Sequence, residues 1–360
     1  PARARAVRRR QGGPSARRKE IAMAFRCVQV GAGGMGHTWL GILTRRGDVE
    51  IAGLVDLRVE AARRLAEEKQ VSPAYVGDDL ERAIAETKPD FVVDVTVPEA
   101  HHDVTVTALA AGLHVLGEKP MAATMEQARA MVAASEKAGR LYMVSQSRRY
   151  DERLWAYRRL IESLGGLGIL NVDFYLGPHF GGFRDQMASP LLLDMAIHTF
   201  DQARCLSGCD PVGVFCEEFN PSWSWYSGDA CANALFEMSG GVRFNYRGSW
   251  CSEGLGTSWE GSWRAVGRRG TAVWDGHDHI AAETVVRTEG LWSELERHEG
   301  VREPMLGGVE GALDDFLNAI RTGKPPMGEC HDNIKSLAMV FGAIESSRVG
   351  RRVAIGPMLG

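Results

Sequence analysis

Three groups of residues have the types and spacings that redox chemistry at a hydroxyl-bearing carbon needs. The first is Glu118-Lys119-Pro120, directly after a predicted strand from Gly112 to Gly117. The second is the glycine-rich run Gly31-Ala32-Gly33-Gly34-Met35-Gly36, about eighty residues upstream. The third is Asp194-Met195-Ala196-Ile197-His198, followed by Asp201. In Gly31-x-Gly33-x-x-Gly36 the first glycine permits a tight turn. The second lets the backbone approach a pyrophosphate, and the third allows close packing of helix on strand. The phosphates then lie on the helix N-terminus. Such a motif is weak alone, but a predicted strand, Arg26 to Val30, runs into it. Asp56 ends the next predicted strand 20 residues after Gly36. A carboxylate there accepts from a ribose 2′-hydroxyl and repels a 2′-phosphate, which favours NAD over NADP. Arg58 is the counter-signal, because a guanidinium can partner that phosphate. The plainer alternative is that Asp56 caps the following helix.

Lysine is usually a solvated surface residue. At a strand end facing a cofactor crevice, burial and the cofactor's charge lower its pKa toward the range of a general base. Asp194 and His198 stand at i,i+4 and so share a helical face. His198 can exchange a proton with a substrate hydroxyl or orient it. Asp194 can accept from the same substrate or tune the imidazole. Without Lys119, a surface ion pair is the better account of them. Asp201, one turn on, reads as structural.

The elements that must position these groups follow from periodicity. Up to Arg148, strands and helices alternate: 26–30, 49–55, 91–95, 112–117 and 141–144 as strands, with helices between them. The pattern predicts a parallel sheet with right-handed crossovers. Beyond Arg148, strands dominate (169–176, 212–218, 230–238, 241–250, 262–266), and two amphipathic helices close the chain around Ala312–Ile320 and Ile334–Ile344. The fold class is therefore α/β: a Rossmann dinucleotide-binding domain over 23–146, then an α+β domain over 147–360. The second has an open, largely antiparallel sheet and the substrate-binding and oligomerisation roles.

Charge and cysteine content exclude other classes. The chain of 360 residues has a net charge of −4. Residues 1–22 hold eight basic groups against Glu20, so the remainder carries −11. An acidic body gives no footprint for nucleic acid, and no apolar run is long enough to span a membrane. Residues 1–22 are read as a disordered basic extension ahead of Met23. Seven scattered cysteines show no disulfide framework, which fits reduced thiols in a cytoplasm. Cys205 and Cys209 lack a second ligand pair, so no metal site is expected. Trp223, Trp225, Tyr226, Trp250 and Trp259 offer surfaces on which a sugar could stack, although tryptophan more often fills a core or an interface.

From Phe25 to Ile355 the chain resembles the glucose-fructose oxidoreductase / inositol dehydrogenase / rhizopine-catabolism (Gfo/Idh/MocA) family. The resemblance rests on the glycine loop, Glu118-Lys119-Pro120, Asp194 with His198, Gln146-Ser-Arg-Arg149-Tyr150, and Val97-Pro98-Glu99-Ala100-His101-His102. It implies a cofactor site of Gly31, Gly33, Gly34, Met35, Gly36, Asp56 and Arg58. Thr96, Val97, Pro98, His102, Glu118, Lys119 and Pro120 complete it. It implies catalysis by Lys119, His198 and Asp194, and substrate contacts from these three plus Arg149 and Tyr150. A cis peptide before Pro120 is expected on the same basis. The implied activity is NAD-dependent oxidation of a secondary hydroxyl of a sugar, cyclitol or related polyol, by a homodimer or homotetramer. NAD-assisted glycoside hydrolysis or elimination and a non-enzymatic dinucleotide-binding regulator are the alternatives. Ser189-Pro190-Leu-Leu-Leu before Asp194 replaces the family's glycine run, so the exact substrate does not carry over.

Overall fold

A computed structural model describes residues 24–360; the expectations for residues 1–22 and Met23 lie outside the described residues. The first sheet has six parallel strands: β1 (Phe25–Val30), β2 (Val49–Val55), β3 (Tyr75–Gly77), β4 (Phe91–Asp94), β5 (His114–Gly117) and β6 (Tyr142–Val144). Their spatial order is β3-β2-β1-β4-β5-β6. Helices cover both faces, so the central strands bury nearly every side chain, as in Phe91-Val92-Val93-Asp94. The crossover helices are α1 (Gly34–Leu43), α2 (Val59–Glu68), α3 (Leu80–Thr87), α4 (Pro98–Ala110) and α5 (Met125–Ala138). Thr124 caps α5, its hydroxyl accepting from the Gln127 N–H at 3.2 Å. Short β3 and α3 have too little periodicity to be seen in the sequence.

After a short turn at Ser147–Arg149 and α6 (Glu152–Ser163) comes a nine-stranded sheet. Its strands are β7 (Leu167–Tyr175), β8 (Pro211–Phe219), β9 (Cys231–Met238), β10 (Arg243–Ser249), β11 (Ser262–Gly267), β12 (Gly270–Trp274), β13 (Ile280–Glu289), β14 (Trp292–Glu299) and β15 (Val353–Ala354). Only β7 and β10 pair in parallel. Alternation along β7 and β10 is clean: Leu170, Val172, Phe174, Phe244 and Tyr246 point into the core. Asn171, Asp173, Asn245 and Arg247 point outward, and Arg247 grips Asp173 with two bonds of 2.7 Å. Against the inner face lie α6, α7 (Ile197–Ser207) and α9 (Cys330–Val349).

The helix α8 (Gly308–Thr322) departs from the expected linear division. Its buried face, Ala312, Leu313, Phe316 and Leu317, packs with Cys27, Phe91 and Val93 on the first sheet and with Trp39 on α1. Phe316 meets Phe91 edge-on at 5.4 Å. The chain therefore crosses back, and the boundary at residue 146 marks only the first crossing. Among the described residues no helix is long and apolar enough to cross a membrane.

Candidate active site

The carboxyl ends of the parallel strands form a crevice, where open α/β sheets hold their ligands. Gly31 turns the chain there with φ +108°, and a Cβ on it would stand 2.6 Å from the Val95 carbonyl oxygen. A Cβ on Gly36 would stand 2.5 Å from the Gly31 oxygen, so helix and loop approach as closely as glycine allows. Gly33 and Gly34 instead face open space at the start of α1, whose N-cap has no side-chain partner. Asp56 is drawn onto this loop: its carboxylate accepts from the Ala32 N–H at 2.7 Å and the Arg58 N–H at 2.8 Å. Arg58 itself is 77% exposed. Free N–H groups, a bare glycine surface and a carboxylate at the end of the adjacent strand fit the pyrophosphate and ribose of a dinucleotide. Val97 and Met35 stand exposed at the rim, and Pro98 opens α4. Thr96 is tied down, its hydroxyl donating to Asp94 at 2.6 Å.

Glu118 does not face the crevice as a cofactor contact would. It is buried and accepts from the Trp39 indole N–H at 2.7 Å and from the Lys119 N–H at 3.1 Å. Burial pushes its pKa up despite these donors. Its role is to fix the end of β5. The Lys119–Pro120 peptide is cis, as expected. His102 also needs correction: it is part-exposed and pairs with its neighbour Asp103 at 2.8 Å. The inward histidine is His101, buried with its Nδ1 3.0 Å from Asp94. Burial favours its neutral form, but the Asp94 carboxylate overrides this and raises the pKa. Helical period in α4 gives the signal: 101, 105, 108 and 109 are its buried positions.

The ammonium of Lys119 reaches across to the second domain. It donates to the Asp194 carbonyl at 3.0 Å and stands 3.7 Å from the Asp194 carboxylate. Burial lowers its pKa, with Asp194 and Glu118 opposing. Asp194 sits in a π-helical turn, Leu191–Ala196, that runs into α7 and delivers His198. Such wide turns recur at functional sites. The imidazole of His198 has a pKa well below the ordinary value, first through burial and then through Lys119 and Arg148, so it is neutral at pH 7. Its buried Nδ1 has no partner.

Two arginines complete the cluster. Arg184 donates to Asp194 at 2.7 Å and lies over the rings of Phe180 and Phe183. Arg148 touches the Met195 sulfur at 3.8 Å and faces Glu260 at 3.7 Å, with one buried Nη unpartnered. Neither was singled out for the site from sequence, because their positions depend on loops without periodicity. Conversely, two expected substrate contacts are committed elsewhere. Arg149 is buried in a two-bond pair with Asp201 at 2.6 and 2.7 Å. Tyr150 is buried and its hydroxyl donates to Asp315 on α8 at 2.8 Å. Both hold elements together, Arg149 tying the crossover to α7 and Tyr150 tying it to α8. Glu329, Cys330 and His331 are the one group of three potential metal-binding side chains among the described residues. It sits at the start of α9, away from this cluster, where His331 pairs with Glu136.

The family model for the NAD-binding Rossmann fold of the oxidoreductase family matches residues 25–146. The model for the same family's C-terminal alpha/beta domain matches residues 182–355. The chain belongs to the Gfo/Idh/MocA oxidoreductase family. An uncharacterised protein of Sinorhizobium fredii, y4oX, is 28% identical over 94% of this chain and 97% of its own length. The inositol 2-dehydrogenase of an Arthrobacter species is 30% identical over 53% of this chain and 56% of that protein. Among solved structures, an Agrobacterium radiobacter oxidoreductase in complex with NAD+, L-tartaric acid and magnesium superposes with a TM-score of 0.81. It is 20% identical and covers 94% of this chain and 100% of its own, a likeness of fold. As a Gfo/Idh/MocA member the chain is an NAD-binding oxidoreductase.

Proposed function

We propose that this Gfo/Idh/MocA protein oxidises a secondary hydroxyl of a sugar, cyclitol or related polyol, with Lys119 as the base. The observation that carries the reading is the Lys119 amine, partly desolvated at the end of β5 and aimed at Asp194 across the domain crevice. Bound NAD supplies a hydride acceptor at its nicotinamide ring. Lys119 takes the hydroxyl proton. Neutral His198 holds that hydroxyl or relays its proton, and Asp194, braced by Arg184, orients the substrate. Each substrate hydroxyl needs its own partner, since an unpaired buried polar group costs about 1–3 kcal/mol. Residues 23–146 serve as the cofactor unit, completed by α8, and the rest of the chain beyond 147 shapes the substrate side.

A homodimer or homotetramer formed through the open sheet face fits its composition. Phe215 and Leu235 are paired neighbours on the outward face and about half exposed. The seven cysteines form no disulfide, which supports a reducing, cytoplasmic setting. The test is NAD+ reduction against a panel of sugars, inositols, sugar acids and glycosides, with NAD(H) and NADP(H) titrated in parallel. Turnover of at least one polyol and tighter NAD(H) binding are expected. No reduction by any hydroxylated compound would overturn the activity. Preference for NADP(H) would show that Arg58 outweighs Asp56.

A further inference from the structure

Resting on that oxidoreductase reading, we propose a second subsite: a sugar ring glycosidically linked to the reacting ring docks on an aromatic wall beside Arg184. Phe180 and Trp259 form the wall, 52% and 49% exposed, with ring centroids 6.4 Å apart. Both rest on Trp250, which is buried, at 5.9 and 5.7 Å. A scattered exposed aromatic needs no explanation, but a contiguous set beside a reactive cluster does. The connection to that cluster is direct. Arg184 lies 5.1 Å from the Phe180 ring and donates to Asp194 at 2.7 Å. Asp194 in turn faces Lys119.

The wall is presented on a fastened loop. His179, next to Phe180, stacks on Trp225 at 3.8 Å and pairs with Glu253 at 2.7 Å. Pro178 accepts from the Tyr226 hydroxyl at 3.2 Å. Asp185 and Ala188 accept from Ser227 and Asp229 N–H groups, each at 2.8 Å. A fixed aromatic surface loses little entropy on binding. A pyranose has an apolar C–H face and a polar rim, and here exposed aromatic rings stand beside a part-exposed guanidinium that lies over Phe180. That pairing suits a sugar better than a wholly apolar group, because Arg184 gives only two of its five N–H groups to Asp194 and an apolar occupant would offer the others no acceptor.

The experiment compares D-glucose, myo-inositol and other active single rings with maltose, cellobiose and trehalose, by NADH formation. Binding to the NADH-loaded protein is followed in parallel by calorimetry. At least one disaccharide should bind more tightly than its single ring. Phe180→Ala and Trp259→Ala should each weaken disaccharide binding and raise its KM by about three- to tenfold, and Trp259→Ala, which does not touch Arg184, should leave single-ring kinetics unchanged. Equal effects on both substrate sizes, or no disaccharide binding by calorimetry, would overturn the subsite while the activity on single rings still stood. Loss of the oligomer in these variants, with disaccharide preference intact, would assign the wall to contact between copies and also overturn it.

Discussion

Two polar clusters share the helical run Leu191–Ser207, about two turns apart, and they are built on opposite principles. Around Asp201 each charge has an opposite charge at hydrogen-bonding distance. Arg149 binds Asp201 twice, Ser336 donates to Asp201 at 2.7 Å, and Arg204 reaches Asp210 at 2.9 Å and Asp332 at 2.5 Å. Around Asp194 the pairing is partial: Arg184 holds the carboxylate at 2.7 Å, but the other groups are left short. Lys119 is 3.7 Å from the carboxylate, and His198 and Arg148 each keep a buried nitrogen without a partner. Apart from one unpartnered buried nitrogen on Arg204, the first network is satisfied and fixes geometry; the second, more deficient, leaves polar groups for a ligand. The same helix thus carries its own scaffold beside its reactive face.

The largest expected effect breaks the deficient side. Lys119→Ala should lower turnover by about 10²–10⁴-fold while NAD affinity and melting temperature stay near those of the parent. With Lys119 as the proposed base, active when deprotonated, kcat/KM in the parent should rise with pH through the Lys119 pKa, which lies below the ordinary lysine value of about 10.4. The variant should lose that limb. A pH profile unchanged by the substitution would remove Lys119 as the base.

Breaking the satisfied side should cost stability. Asp201→Ala leaves Arg149 buried against a lost partner, which typically costs about 3–5 kcal/mol, read by urea unfolding. Asp332 belongs to the same network and is held down to about 2 by Arg204 and Arg149 against its own burial. A carboxyl with a depressed folded pKa stabilises above its unfolded pKa. That contribution should therefore vanish as pH falls from about 4 towards 2, and it should be absent in Asp332→Asn. Unfolding curves of that variant that keep the acid dependence of the parent would refute the assignment.

The smallest effect sharpens the contrast. Asp194→Asn should raise KM by roughly tenfold, the worth of one charge-assisted bond. Because Asp194 raises the Lys119 pKa, its neutralisation should also shift the acid limb of the rate to lower pH. Asp201→Asn should leave that limb in place. A shift in both would mean the two clusters are not electrically separate, and a shift in neither would mean that Asp194 does not set the Lys119 pKa.

Much of this could be read from the chain. The glycine loop, Asp56, Lys119 and the Asp194–His198 pair are local patterns, and local patterns survive without knowledge of the partner. The errors came where partner choice is long-range. Arg149 and Tyr150 are adjacent to the crossover, yet each points to a side chain far along the chain, Asp201 and Asp315. His101 and His102 differ only in which faces inward, and the start of α4 decides that. The hairpin β13–β14 has most of its residues exposed on both faces, so it lacks alternation and was missed. Arg184 and Phe180 lie on a loop whose shape is set by contacts with 225–229 and 253, which no short window contains.

The return of α8 to the first sheet has a consequence for biosynthesis. A ribosome releases the strands of the cofactor half early, but the layer over Trp39 and Phe91 arrives only when residue 322 has emerged. At about 5–20 residues per second, the interval from residue 150 is on the order of ten to thirty seconds. Throughout it the nascent chain carries a half-covered sheet, with an apolar flank open to chaperones and to neighbouring nascent chains.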